Sequence, residues 1–164
     1  MGVEIEKKFL VKNDSWRSLG KKMKFVQGYL SSRKERNVRV RTIEDKGFLT
    51  IKGIAIGAIR SEWEYEIPHN DAREMLEKLC EIPLIEKIRC KITYHGMIWE
   101  VDEFFGENLG LIVAEIELEN ENQPFDKPSW VGREVTDDSR YFNSNLAHYP
   151  YCRWSEDSRV GDRD

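Results

Sequence analysis

This 164-residue chain has little to offer disulfide, zinc or membrane chemistry. Its 3 cysteines (Cys80, Cys90, Cys152) form no CxxC pair and leave an odd thiol, which excludes a disulfide framework and a zinc ribbon. A reducing cytoplasm is the expected compartment. The 3 histidines (His69, His95, His148) stand far apart and match no ligand spacing. No run approaches the roughly 20 apolar residues of a membrane span. The opening MGVEIEKKFL lacks the basic start and long apolar stretch of a secretory signal. Gly2 is followed by Glu6 where a myristoylation signal needs Ser or Thr, so no membrane partner is expected.

What is present is charge and aromatic carbon. Charged residues are 34% of the chain, the hydrophobic set 40%, and aromatics 11% with 5 Trp, a balance that argues for a folded domain. Lys plus Arg is 26 and Asp plus Glu is 30, so the net charge is 26 − 30 = −4. That sum speaks against a nucleic-acid duplex as partner. It says nothing about where the charges lie.

Period-two alternation dominates and predicts strands over 3–11, 27–31, 36–45, 47–56, 59–67, 84–95, 97–105 and 111–120. Turn signals separate them at Asp45-Lys46-Gly47, Gly57-Ala58, His95-Gly96 and Gly106-Glu107-Asn108. A helix is expected after Pro68, capped by Asn70 or Asp71 and ending before Pro83. Shorter helices are expected at 14–22 and 138–147. Residues 1–154 read as one domain and 155–164 as a flexible tail. Eight antiparallel strands in so small a chain predict a mainly β (α+β) fold, a barrel with a few flanking helices.

Residues two apart share a strand face, so the charges can be sorted. Glu4, Glu6 and Lys8 fall together, as do Arg39 with Arg41, and Lys87 with Arg89 and Lys91. Glu62, Glu64 and Glu66 share a face, as do Glu100 with Asp102, and Glu115 with Glu117 and Glu119. Lys52 is alone in its strand. An antiparallel sheet with one wet face alternates in this way without any function. Segregation by sign is different, because like charges two apart repel unless a counter-charge lies between them. Basic strands suit phosphate oxygens, and clustered carboxylates suit a hard divalent cation. Together they describe a metal and an oligophosphate in one hydrated lumen. The apolar faces then look outward, where helices or a homodimer partner would cover them.

The series Glu4-Ile5-Glu6-Lys7-Lys8 (ExExK), Arg39-Val40-Arg41, Lys52, Glu62-Trp63-Glu64, Lys87-Ile88-Arg89, Asp102 and Glu115-Ile116-Glu117 resembles the CYTH domain superfamily, the triphosphate tunnel metalloenzymes. The likeness spans residues 3–147. It implies an eight-stranded antiparallel β-barrel tunnel and Mg²⁺- or Mn²⁺-dependent hydrolysis of a small triphosphate, with inorganic tripolyphosphate favoured by the short chain and nucleoside triphosphates as further substrates. By this resemblance Glu4, Glu6, Glu115 and Glu117 hold metal, with Glu4 and Glu6 also catalytic. Lys8, Arg39, Arg41, Lys52, Lys87 and Arg89 bind phosphate, and Glu62, Glu64 and Asp102 are supporting tunnel acids. Tyr29 matches a tyrosine that some bacterial tripolyphosphatases pair with a lysine, and is carried over as a catalytic candidate. Class IV adenylyl cyclases and thiamine triphosphatases share the tunnel and are the rivals within the family. A non-catalytic polyphosphate-binding module is the rival of another class.

Overall fold

The computed structural model describes residues 2–155. Nine antiparallel strands form it: β1 (Gly2–Val11), β2 (Lys21–Ser32), β3 (Asn37–Ile43), β4 (Lys46–Lys52), β5 (Ile59–Ile67), β6 (Ile85–Tyr94), β7 (Met97–Phe104), β8 (Ile112–Glu117) and β9 (Val131–Glu134). They are hydrogen-bonded in the order β5-β4-β3-β2-β6-β7-β8-β1-β9, and a further β5–β1 pairing closes the first eight into a barrel. The closing register sets Glu4 opposite Arg60 and Gly2 opposite Glu62. Beyond an irregularity at Phe9–Val11, β1 turns its far end to β9.

The expected strands recur with shifted ends, because pairing partners rather than local pattern set their limits. The β3–β4 turn falls on Glu44 and Asp45, so Lys46 and Gly47 already belong to β4. At His95-Gly96 the hairpin takes positive φ at both residues (50° and 77°), the geometry a two-residue connection requires. β9 has only four residues, too few for alternation to show.

The helix expected over 14–22 is a correction. Only a 3₁₀ turn forms, at Ser15–Ser18, and residues from Lys21 onward are strand. Trp16, within this turn, is buried in the core outside the barrel. At Gly20 the backbone comes so close to β6 that a Cβ would lie 1.9 Å from the Lys91 carbonyl oxygen, and the chain then pairs with β6. The helix after Pro68 is α1 (His69–Lys78), with Pro68 itself at the cap position and no side-chain cap. Over 138–147 there is a 3₁₀ turn, Ser139–Tyr141, followed by one helical turn, α2 (Asn143–Leu146). The expected tail, beyond Ser155, lies outside the described residues.

Alternation puts carbon outside and charge inside. Ala72 and Leu76 of α1 pack on Val40, with Val26, Leu49 and Ile67 around them, and a buried Leu of this kind contributes about 1.5–3 kcal/mol. On the opposite side Trp99, Val101, Ala114, Ile116 and Phe9 are covered by Trp16, Phe125 and Trp130. The chain thus covers much of its own outward apolar surface. A third cluster takes one inward residue from each of five strands (Leu10, Tyr29, Ile85, Phe104, Val113) and packs them under Val135, Tyr141, Leu146 and Tyr151. The segment after β9 therefore plugs one end of the barrel.

Candidate active site

Inside the barrel lies a cavity of about 260 Å³, at the small end for a small-molecule site. Seven acids line it (Glu4, Glu6, Glu62, Glu64, Glu100, Glu115, Glu117) and seven bases (Lys8, Arg39, Arg41, Lys52, Arg60, Lys87, Arg89). Their order around the barrel matters more than their number. β7, β8, β1 and β5 are neighbours and carry all seven acids, whereas β4, β3, β2 and β6 are neighbours and carry five of the seven bases. The sign segregation of the sequence becomes two facing walls. Lys8 and Arg60 are the two bases set within the acidic wall.

Every expected site residue except Asp102 lines this cavity. Asp102 is completely buried behind it, with its Oδ1 2.7 Å from Arg89 Nε, its Oδ2 2.9 Å from Arg89 Nη2, and Oδ2 also 2.9 Å from Lys87 Nζ. It is the anchor from which two phosphate-binding candidates are aimed. Glu66, Lys91 and Glu119 continue the alternation but are exposed and outside the cavity lining, Glu66 and Lys91 toward the far ends of their strands and Glu119 beyond the end of β8. Pattern alone missed Arg60, Glu100, Asn37, Thr136 and the plug residues Phe142, Asn143 and Ser144. Glu100 was visible as Asp102's partner in alternation, but the others show no signal before the fold is known.

Ion pairs run within the acidic wall, through Lys8, and between the walls, through Lys52. Lys8 Nζ lies 3.2 Å from Glu6 and 2.9 Å from Glu115, and Lys52 Nζ lies 2.9 Å from Glu4. Glu64 accepts from Arg41 (3.0 Å) and from Thr50 (2.7 Å). Phe25 underlies the basic wall, with Arg41 and Arg89 at 5.2 and 4.8 Å from its ring centre.

This crowding sets the ionisation of each group. Burial, reinforced by Glu115 and Glu4, pushes the Glu6 carboxyl up to about 8. Glu117 is also raised, by burial and then by Glu4, Glu62 and Glu100. For Glu4 and Glu115 burial acts in the same direction but is outweighed, by Lys52 in one case and by Lys8 and Arg89 in the other, and both are lowered. Burial lowers Lys87 to about 8 despite Asp102, whose charge is already shared with Arg89. Arg41 falls to about 10 through burial and the neighbouring Arg39 and Arg89. Tyr29 is raised by burial, and its hydroxyl accepts from Gln27 at 3.4 Å. Tyr29 lines the cavity beside Lys8 and Lys87, and its hydroxyl is hydrogen-bonded to Gln27.

The acidic wall suits a divalent metal by its chemistry. Its donors are all carboxylate oxygens, which favour hard cations. The upward shifts of Glu6 and Glu117 come first from burial and then from neighbouring carboxylates, which the lysines offset only in part. Among the described residues no three acids already converge as a ligand set, since Lys8 and Lys52 lie between them. Seven acids line the lumen with seven bases, so the bases have no large surplus of charge with which to meet an oligophosphate by themselves, and a cation would offset the remainder.

Comparison with known proteins agrees with this geometry. A curated inorganic triphosphatase of Acetivibrio thermocellus is 56% identical over 156 residues, covering 95% of this chain and 100% of that one. One of Nitrosomonas europaea is 35% identical over 148 residues, covering 88% and 96%. A crystal structure of an inorganic triphosphatase matches with a TM-score of 0.64 at 33% identity, covering 88% and 97%. A Pyrococcus horikoshii protein shares the fold at TM-score 0.58 and 20% identity, covering 73% and 80%. The model of the CYTH domain matches residues 2–147, the span that runs from the first acidic strand into the plug, and the chain belongs to the CYTH domain family.

Proposed function

We propose that this protein is a metal-dependent inorganic triphosphatase, hydrolysing tripolyphosphate to pyrophosphate and phosphate with Mg²⁺ or Mn²⁺. The observation that carries the reading is the pair of facing walls, acidic and basic, in one cavity inside the closed barrel. The two inorganic triphosphatases at 56% and 35% identity support it. The free thiols Cys80, Cys90 and Cys152 fit a cytoplasmic enzyme.

Phosphoryl transfer needs positioning and charge neutralisation more than covalent participation. Arg39, Arg41, Lys52, Lys87, Arg89 and Lys8 hold the phosphate oxygens, the arginines through two N–H groups at once. Glu4, Glu6, Glu115 and Glu117 would hold the cation, with Glu62 and Glu64 beside them. When bound, the metal neutralises phosphate oxygens and polarises the anhydride. Glu4 and Glu6 orient a water and take its proton. The water oxygen bonds to the terminal phosphorus, and the bridging P–O bond breaks with its electron pair leaving on pyrophosphate. These carboxylates titrate as a group with Glu115, so the base is the group rather than one residue.

The cavity favours an unadorned substrate. None of the 5 Trp lines it: four are buried in packing clusters and Trp63 lies on the outer face of β5. Its aromatic lining residues are Tyr29 and Phe142. The test is a panel of tripolyphosphate, ATP, GTP and thiamine triphosphate with each metal. Phosphate released from tripolyphosphate, and abolished in Glu4→Ala and Arg39→Ala, is the expected result. Undiminished release in both variants, or cyclic AMP and pyrophosphate from ATP as the main reaction, overturns it.

A further inference from the structure

The plug does more than close the barrel. Its one helical turn brings Asn143 to the cavity wall, where Oδ1 accepts from Lys87 Nζ at 3.1 Å and from Gln27 Nε2 at 3.0 Å. The orientation of this amide is fixed by chemistry, because an ammonium can only donate and must face the carbonyl oxygen. Asn143 is 56 residues from Lys87 and 116 from Gln27 along the chain. Only the packing of Tyr141 and Leu146 into the barrel end brings them together.

Lys87 is 2% exposed and has three N–H groups. One is given to Asp102 at 2.9 Å and a second to Asn143. An ammonium is tetrahedral, so two fixed N–H directions determine the third. With Asp102 alone, the group would be free to turn about that single anchor. We infer that Asn143 is a positioning residue for Lys87, aiming its remaining N–H at a phosphate oxygen, so that seating of the C-terminal plug and phosphate binding are coupled.

This rests on the triphosphatase reading above, and the experiment separates the two. Binding of tripolyphosphate is measured by calorimetry in metal-free buffer for wild type, Asn143→Ala, Lys87→Met and the double variant. Asn145→Ala is the control: it removes a hydrogen bond to the Ser139 carbonyl inside the plug (2.6 Å) without touching Lys87. A charge-assisted hydrogen bond supports an expected weakening of roughly tenfold to a hundredfold in Asn143→Ala. In the Lys87→Met background the same change costs less than about threefold, since the residue acts through the lysine. Asn145→Ala stays within about threefold of wild type. In turnover with metal, Asn143→Ala raises KM by a similar factor and leaves kcat within about threefold. Unchanged binding in Asn143→Ala, an equal loss with and without Lys87, or an equal loss in Asn145→Ala overturns the assignment while the triphosphatase reading stands. Failure of the wild type both to bind tripolyphosphate without metal and to release phosphate from it with metal overturns both.

Discussion

Lys87 Nζ lies 2.9 Å from Asp102 Oδ2, with 1% and 0% of the two side chains exposed. A buried ion pair gains little over an apolar pair of the same shape, but losing one member leaves a charge without compensation. Asp102 also holds Arg89, so a single carboxylate keeps two cations in the barrel wall. Asp102→Ala should cost about 3–5 kcal/mol, lowering the melting temperature by roughly 10 °C in a domain of this size. Lys87→Met combined with Asp102→Ala should recover part of that loss without recovering activity. Calorimetric melting of the three variants checks this, and a melting temperature unchanged in Asp102→Ala would contradict it.

Lys87 should also set the alkaline limb of catalysis. Burial lowers it to about 8 in the free protein, and a bound phosphate would raise it again. kcat/KM reports the free enzyme, so above pH 8 it should fall about tenfold per unit, while kcat stays flat through the same range. The shift has a consequence for stability. The folded value lies below the ordinary 10.5, so the folded chain gives up this proton before the unfolded chain does. The penalty of burying the cation is full below about pH 8 and is relieved as pH rises toward 10.5. Lys87→Met should remove both the kinetic limb and this rise in stability.

Tyr29 is predicted to bind rather than to act as a base. Its buried hydroxyl is raised above the ordinary tyrosine value and so stays protonated at neutral pH. Tyr29→Phe should retain kcat within about tenfold, with no displacement of the pH profile. A loss near a thousandfold, of the size removal of an essential acid or base produces, would restore its catalytic role.

Metal binding should be visible without turnover. Mn²⁺ in excess of its dissociation constant by a hundredfold stabilises a protein by about 2.7 kcal/mol. The wild type should therefore melt several degrees higher with the metal, and Glu115→Gln together with Glu4→Gln should abolish that increment. Added chelator should return the wild type to its metal-free melting temperature and stop phosphate release. An equal increment in the double variant would remove these carboxylates from the metal site.

Much of the site was legible in the sequence because strand alternation obeys a fixed rule. Glu4, Glu6 and Lys8 had to share a face, and so did Arg39 with Arg41 and Lys87 with Arg89. The same rule erred at the ends: Lys91 and Glu66 keep the phase of their strands but lie outside the cavity lining. Over 14–22 the expected helix was wrong: a 3₁₀ turn forms and the chain then pairs with β6 as a strand. Asn143 carries no charge and belongs to no alternating strand, so nothing local marks it as part of the site.

The sequence by itself determined which side chains share each strand face, and hence that acids and bases are kept apart. That follows from the two-residue period, which is a property of the backbone. The tertiary structure alone decided that the acid-bearing strands become neighbours in one half of a closed barrel, facing the bases across 260 Å³ of cavity. It also decided that residues after β9 close one end and deliver an amide to Lys87. Those relations depend on strand order and on packing between positions far apart in the chain, which no local period encodes.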